Sequence, residues 1–191
     1  MLKRLFKYGI VFSLGIGGMY WYITIHKAPA LMVHTDVTLP GIDMRDYTQD
    51  QEAFVKQMFK DEWYLMFNDP RYDLDFVLKN NAPHTFEPQY FGKMPIKLLY
   101  ENGQPVGLAA YYMKTEHLGH LLFILVDKSQ RGKGYSKKLV HYSEEALKAL
   151  GAKIIKIDTR EENLIAQKLY SGLGYIEKLR DRGYVTFTKQ V

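Results

Sequence analysis

The sequence predicts an α/β fold: a mixed, mostly antiparallel twisted sheet with a central parallel strand pair, flanked by helices and preceded by an N-terminal transmembrane helix. Three observations carry this. A nearly unbroken apolar run, His120 to Val126, is followed by a helical pattern from Lys133 to Leu150 and then by a second apolar run, Ile154 to Ile157. That succession predicts two parallel strands joined by a right-handed crossover, the first buried on both faces. Around this centre, shorter apolar runs separated by tight-turn signals predict antiparallel strands. At the N-terminus, an uncharged stretch is long enough to cross a bilayer core.

That stretch runs from Tyr8 to Ile25, with Lys3, Arg4 and Lys7 before it and His26 and Lys27 after it. Tyr8 at one end and Tyr20, Trp21 and Tyr22 at the other fall where interfacial aromatic belts fall. A secretory signal would have a shorter apolar centre, and the small-residue site Ala28-Pro29-Ala30 contains a proline that suits a signal protease poorly. Residues 1–30 therefore read as a single-pass membrane anchor and residues 31–191 as one globular domain. Ser13, Gly17 and Gly18 would let two such helices approach closely, which allows a dimer. The positive-inside rule puts Lys3, Arg4 and Lys7 on the cytoplasmic side and sends the domain across the membrane.

Composition narrows the function. At 191 residues and 47% hydrophobic content the chain can fill one good core. Its net charge of +5 is concentrated at the anchor, because four of the 26 basic side chains and none of the 21 acidic ones lie in residues 1–30. The remainder is nearly balanced and has no basic stripe for a phosphate backbone, so nucleic acid is not an expected partner. With no cysteine, disulfides, thiolate metal ligands and a cysteine nucleophile are excluded, and no metal site is expected.

Within the globular part, His34 to Pro40 alternates weakly and suits a first strand. Asp50 to Phe67 places Phe54, Val55, Met58, Phe59, Trp63 and Phe67 at helical spacing. Residues 68–95 are irregular, with Tyr72 to Leu78 as a candidate short helix. Ile96 to Tyr100 and Val106 to Met113 flank Glu101-Asn102-Gly103-Gln104, whose Asn-Gly pair favours a tight hairpin. In the long helix, Tyr135, Leu139, Ala146, Leu147 and Leu150 face inward and Gly151 ends it. Asn163 suits the N-cap of a last helix that stops at Gly174, and Ile176 to Leu179 and Tyr184 to Thr188 follow as strands around Asp181-Arg182-Gly183.

The sharpest local feature is Gln130-Arg131-Gly132-Lys133-Gly134-Tyr135-Ser136, between the buried strand and the long helix. Glycines permit close backbone approach, and a helix start presents unpaired N–H groups with partial positive charge, an arrangement that cradles phosphate or pyrophosphate. Arg131, Lys133, Lys137 and Lys138 add charge there. Asn163 and Tyr170, two turns apart, project from one face of the last helix, about 10 Å from each other along its axis.

From Gly119 to Gly174 the chain resembles the GNAT (GCN5-related) N-acetyltransferase family. Its phosphate loop, Arg/Gln-x-x-Gly-x-Gly/Ala, lands on Arg131, Gly134 and Ser136, the last a departure that keeps its backbone N–H. Val126 stands five residues before Arg131, where the family places a valine. Asn163, Ala166, Leu169, Tyr170, Gly174 and Tyr175 match a second signature in the right order.

The resemblance implies an acetyl transfer from acetyl-coenzyme A to a primary amine, by direct attack through a tetrahedral intermediate, on a sheet whose central strands splay around the pantetheine arm. It implies that the backbone of Leu125, Val126 and Asp127 holds the arm and that Arg131, Gly132, Lys133, Gly134, Tyr135 and Ser136 hold the pyrophosphate, with Asn163 and Tyr170 beside the cofactor. The Val126 N–H would serve the oxyanion and Tyr170 would protonate the leaving thiolate. Many members carry a glutamate base six residues before the valine; His120 stands there, with Glu116 and His117 as fallbacks, while Asp158, Glu161 and Glu162 are expected to cap and solvate the last helix. The acceptor groove would fall near residues 60–79, where Asp61, Glu62, Asp69, Asp73 and Asp75 against Lys60, Arg71 and Lys79 would form a mildly acidic rim. A catalytically silent acyl-coenzyme A-binding or regulatory module of the same fold is the alternative; retention of Tyr170 favours an enzyme. A cytosolic cofactor also opposes the orientation that the positive-inside rule gives.

Overall fold

A computed structural model describes residues 37–66 and 96–191. The anchor at 8–25, the candidate helix at 72–78 and the rim residues Asp69, Arg71, Asp73, Asp75 and Lys79 lie outside the described residues. Among the described residues, no helix is long and apolar enough to cross a membrane.

The strands are β1 (Asp43–Asp46), β2 (Ile96–Glu101), β3 (Gln104–Met113), β4 (Leu118–Val126), β5 (Ile154–Arg160), β6 (Ile176–Asp181) and β7 (Tyr184–Gln190). They form one sheet in the order β1-β2-β3-β4-β5-β7-β6, with β4 and β5 parallel and every other pair antiparallel. Three helices complete the described fold: α1 (Glu52–Met66), α2 (Tyr135–Ala149) and α3 (Leu164–Gly172). The first strand is displaced from its expected place. The described part of His34 to Pro40 holds only a bridge from Leu39 to Ile42, because Pro40 offers no ladder N–H and Gly41 turns the chain at φ 71°. The strand that follows is charged and largely exposed, which suits an edge and erases the alternation by which strands are recognised.

Both predicted hairpins form. Asn102 and Gly103, at φ 50° and 76°, and Arg182 and Gly183, at φ 50° and 78°, supply the paired left-handed residues that match strand twist. Helix α1 covers one face of the sheet, where Val55, Met58 and Phe59 meet Leu98, Leu108, Phe123 and Leu125, with Phe59 edge-on to Phe123 at 5.1 Å. On the other face, Val140, Tyr142, Ala146 and Leu147 of α2 and Tyr170 of α3 pack on Leu121, Ile155, Ile157, Val185 and Phe187. Of the five inward residues expected in α2, Leu150 is only half-buried, since it is the C-cap before Gly151 (φ 99°) and the closing Ala152 N–H to Leu147 carbonyl bond of 2.9 Å.

The decisive feature lies in β4. Ala110 pairs with Phe123 while the next residue, Tyr111, pairs with Leu121, so Leu122 is an extra residue, a β-bulge. Leu121 and Phe123 would share a face in a regular strand, yet they belong to the cores on opposite faces of the sheet. The parallel pairing with β5 joins Leu118–Leu121 to Ile154–Ile157 and ends there, although β4 continues to Val126 and β5 to Arg160. The sheet is thus forked at its centre, with the bulge at the apex.

Candidate active site

Beyond the bulge, β4 remains bonded to β3 and faces the fork with its other edge. Asp127 donates its N–H to the Val106 carbonyl at 3.0 Å, which fixes the alternation of the strand. Peptide groups of Asp127 and Leu125 point toward β3, and those of Val126 and Ile124 point into the fork. Of the three adjacent backbones expected along the arm, only Val126 is therefore directed there. Ile124, which sequence reasoning missed, joins it; the signal lies in the pairing register, which no local pattern reveals. Asp127 instead caps the short turn Lys128–Gln130, accepting from the Ser129 N–H at 2.8 Å.

At the open end of the fork sits the 131–136 loop. Gly132 and Gly134 have φ of 80° and 81°, and Gly134 is the N-cap of α2. A Cβ on either glycine would meet no atom of the described residues within 4 Å, so among these the surface above them is open. Among the described residues, no N–H of residues 131–136 donates to a protein acceptor, leaving a cluster of amides at a helix start. Lys133 hydrogen-bonds the Gln130 side chain at 2.8 Å and Lys137 is exposed; neither pairs with a carboxylate among the described residues. Lys138 turns away, donating to the Gly41 carbonyl at 3.2 Å. The ring of Tyr135 is buried against Leu99, Val106 and Leu139, so only its backbone faces the loop.

Arg131 is held at two of its three guanidinium nitrogens. Its Nε donates to the Val126 carbonyl at 3.2 Å and its Nη2 to Glu62 Oε1 of α1 at 2.6 Å. The two described carboxylates of the expected acidic rim are therefore engaged: Glu62 with Arg131, and Asp61 with Gln57 at 3.0 Å and Lys128 at 3.8 Å. Between α1 and the end of β4, a cavity of about 30 Å³ lined by Phe54, Met58, Leu125 and Arg131 has room for a water or two and not for a cofactor.

Tyr170 lies on the α2/α3 face, in the same core as Leu121 and Ile157, the last pair before the fork. Its ring packs against Tyr175 and Phe187, each at 6.0 Å between centroids. Its hydroxyl has no hydrogen-bond partner among the described residues, and burial raises its pKa well above that of an ordinary tyrosine. Asn163 is the expected N-cap, its side chain accepting from the Ala166 N–H at 3.1 Å. Asp158, Glu161 and Glu162, also expected to cap and solvate this helix, make no side-chain cap bond among the described residues; the latter two pair with Arg180 and Arg160.

His120 is on the opposite face of the sheet from Tyr170, two residues before the apex. It is buried, with Nδ1 2.7 Å from the Tyr112 hydroxyl and Nε2 3.3 Å from Asp158 Oδ2 in a poorly directed contact. An ionised carboxylate can only accept, so we assign the proton to Nε2 and the Tyr112 hydroxyl as donor to Nδ1. Neither ring nitrogen is then open to an amine. Burial lowers the His120 pKa below its usual value, offset in part by Asp158, so the ring is neutral at pH 7. For Asp158, burial works upward, but hydrogen bonds from His120, Lys156 at 2.8 Å and Thr186 at 2.6 Å outweigh it and hold the carboxyl well below the usual range. Glu116 and His117 are exposed in the turn before β4, at the end of the strand away from the loop. Among the described residues, no group of three His, Asp or Glu side chains is placed to hold a metal ion.

The family model for the acetyltransferase (GNAT) family matches residues 53–175, more than half of the chain. No curated protein matches the sequence significantly. Solved structures similar to it include a GCN5-related N-acetyltransferase from Kribbella flavida, 15% identical, with a TM-score of 0.64 over 78% of this chain and 98% of that one. The yncA protein of Salmonella typhimurium, solved with its cofactor acetyl-CoA, is 16% identical, with a TM-score of 0.60 over 78% of this chain and 93% of that one. A GNAT-family acetyltransferase from Staphylococcus aureus Mu50 is 16% identical, with a TM-score of 0.61 over 78% and 98%.

Proposed function

The chain belongs to the acetyltransferase (GNAT) family, and from that premise we propose that it transfers an acetyl group from acetyl-coenzyme A to a primary amine. The observation that carries the reading is the fork: two central strands that pair for four residues and then part beside a loop whose amides have no acceptor among the described residues. A pyrophosphate fits that loop because Gly132 and Gly134 leave its surface open, and Lys133 and Lys137 supply nearby positive charge. The pantetheine arm contains two amides in an extended chain and fits the fork as an added strand, bonded to the inward Val126 N–H and to the peptide groups of Ile124.

The geometry also bears on where acyl transfer takes place. Val126 adjoins the loop through the Arg131 side chain, so its amide serves the upper part of the arm. From Val126 back to Leu122 the strand spans about 13 Å, a reach comparable to that of the arm. The thioester then lies at the bulge, and an amide there, rather than that of Val126, is placed to stabilise the oxyanion. Attack of the neutral amine forms the C–N bond and a tetrahedral oxyanion; collapse of that intermediate breaks the C–S bond, and the departing thiolate takes the proton of the Tyr170 hydroxyl. Because Tyr112 takes His120 Nδ1 and burial against Asp158 closes Nε2, the proton of the acceptor leaves through water on the Asp158 side, with His120 holding Tyr112 in place.

Residues 8–25 complete the reading as a single-pass anchor that holds this chemistry at a membrane. The test is thiol release from acetyl-coenzyme A by the full-length chain against N-terminal peptides, lysine peptides, polyamines and small metabolite amines. Turnover confined to one class identifies the acceptor. Absence of turnover with every class, together with no binding of coenzyme A, would overturn the assignment.

A further inference from the structure

Glu62 and Arg131 are 69 residues apart in sequence and 2.6 Å apart in space. The Glu62 side chain is 14% exposed and that of Arg131 47%, so the carboxylate lies beneath the guanidinium rather than beside it in solvent. Arg131 spans two fixed acceptors, one on α1 and one at the end of β4. It is also the last anchored residue before Gly132 and Gly134, which give up more backbone freedom on ordering than any other residue type would. A planar guanidinium held at both Nε and Nη2 defines a direction as well as a position, which an ammonium would not. Among the described residues, nothing else between Arg131 and the buried Tyr135 ties the loop to the body of the protein except the Lys133 bond to Gln130, which is itself part of the same turn.

We propose that Glu62 is a positioning residue for the cofactor: through Arg131 it sets the 131–136 loop to receive a pyrophosphate, without touching it. This rests on the reading of that loop as the pyrophosphate site. Three roles for the pair differ in their consequences. If Glu62 merely places a negative charge near the phosphates, Glu62→Gln tightens binding. If the pair only docks α1, stability falls and affinity stays. If it positions the loop, affinity falls even where the charge change favours binding.

Calorimetric titration of coenzyme A into the full-length chain separates them. We expect Glu62→Gln to raise Kd about three- to tenfold, and Arg131→Lys, which keeps the charge and loses the two-point grip, to do the same. The double variant should be no more than about twofold worse than the poorer single one, because both changes break one unit. KM for acetyl-coenzyme A should rise with kcat unchanged. Unchanged or tighter binding in Glu62→Gln, or a silent Arg131→Lys, would overturn the proposal while Gly134→Val still abolishes tight binding. If Gly134→Val also binds normally, the loop reading itself fails and the proposal with it.

Discussion

Replacing Tyr170 with phenylalanine removes one oxygen atom and tests the assigned acid with little collateral damage. The ring is held by Tyr175 and Phe187, and a phenylalanine keeps both contacts. The hydroxyl bonds to no described residue, so its loss strands no buried partner and stability should change by less than about 1 kcal/mol. Burial has raised its pKa, so the native group remains protonated throughout the range in which the enzyme is assayed. Proton donation by a positioned group is worth about 10²- to 10⁴-fold. Tyr170→Phe should therefore lower kcat by at least about 10²-fold, with KM for acetyl-coenzyme A and thermal midpoint nearly unchanged. The assay is thiol release under saturating acetyl-coenzyme A beside differential scanning calorimetry. A kcat within twofold of the parent would refute the acid role, and a midpoint drop of many degrees would show that the hydroxyl was structural.

Three further outcomes are expected. Gly134→Val forces a β-branched residue to φ 81°, a strain of about 1–2 kcal/mol, and puts methyl groups in the open space above the loop; coenzyme A affinity measured by calorimetry should fall at least about tenfold, in a variant that remains folded. His120 has a lowered pKa in the fold, so between that value and about 6.5 the unfolded chain binds the extra proton and stability rises with pH. Denaturant unfolding should show this contribution complete above about pH 6.5 and lost as pH falls, with a flatter profile in His120→Asn; equal slopes would refute a buried neutral imidazole. Alkaline carbonate washing of membranes should retain the full-length chain and release one lacking residues 1–30, and recovery of the intact chain in the wash would refute the anchor.

Much of the architecture was legible because its signals are local. Asn102-Gly103 encodes its hairpin, Gly151 its helix end and Asn163 its N-cap through the backbone angles and donors that single residues supply. The loop at 131–136 was legible for the same reason, since a glycine pair at a helix start needs no distant partner to expose its amides. The edge strand Asp43–Asp46 was not, because a strand with both faces largely in water carries no hydrophobic alternation.

What only the tertiary structure decided concerns relations between distant segments. His120 to Val126 is apolar on both faces, so an extra residue inside it leaves no trace in composition; the bulge at Leu122 becomes visible only when β3 is laid beside it. The same register decides that Val126 and Ile124, rather than Leu125 and Asp127, face the fork. Arg131 reads from sequence as a phosphate ligand, and becomes a clamp only because α1 brings Glu62 within 2.6 Å. His120 stands where a base is expected, but Tyr112 and Asp158, from the strands on either side, close it off, the first by a bond to Nδ1 and the second by burying Nε2. Sequence thus determined which groups are available, through local backbone and side-chain chemistry. Packing determined which remain free to act, because a hydrogen-bonding group is spent or spared by neighbours that sequence distance does not predict.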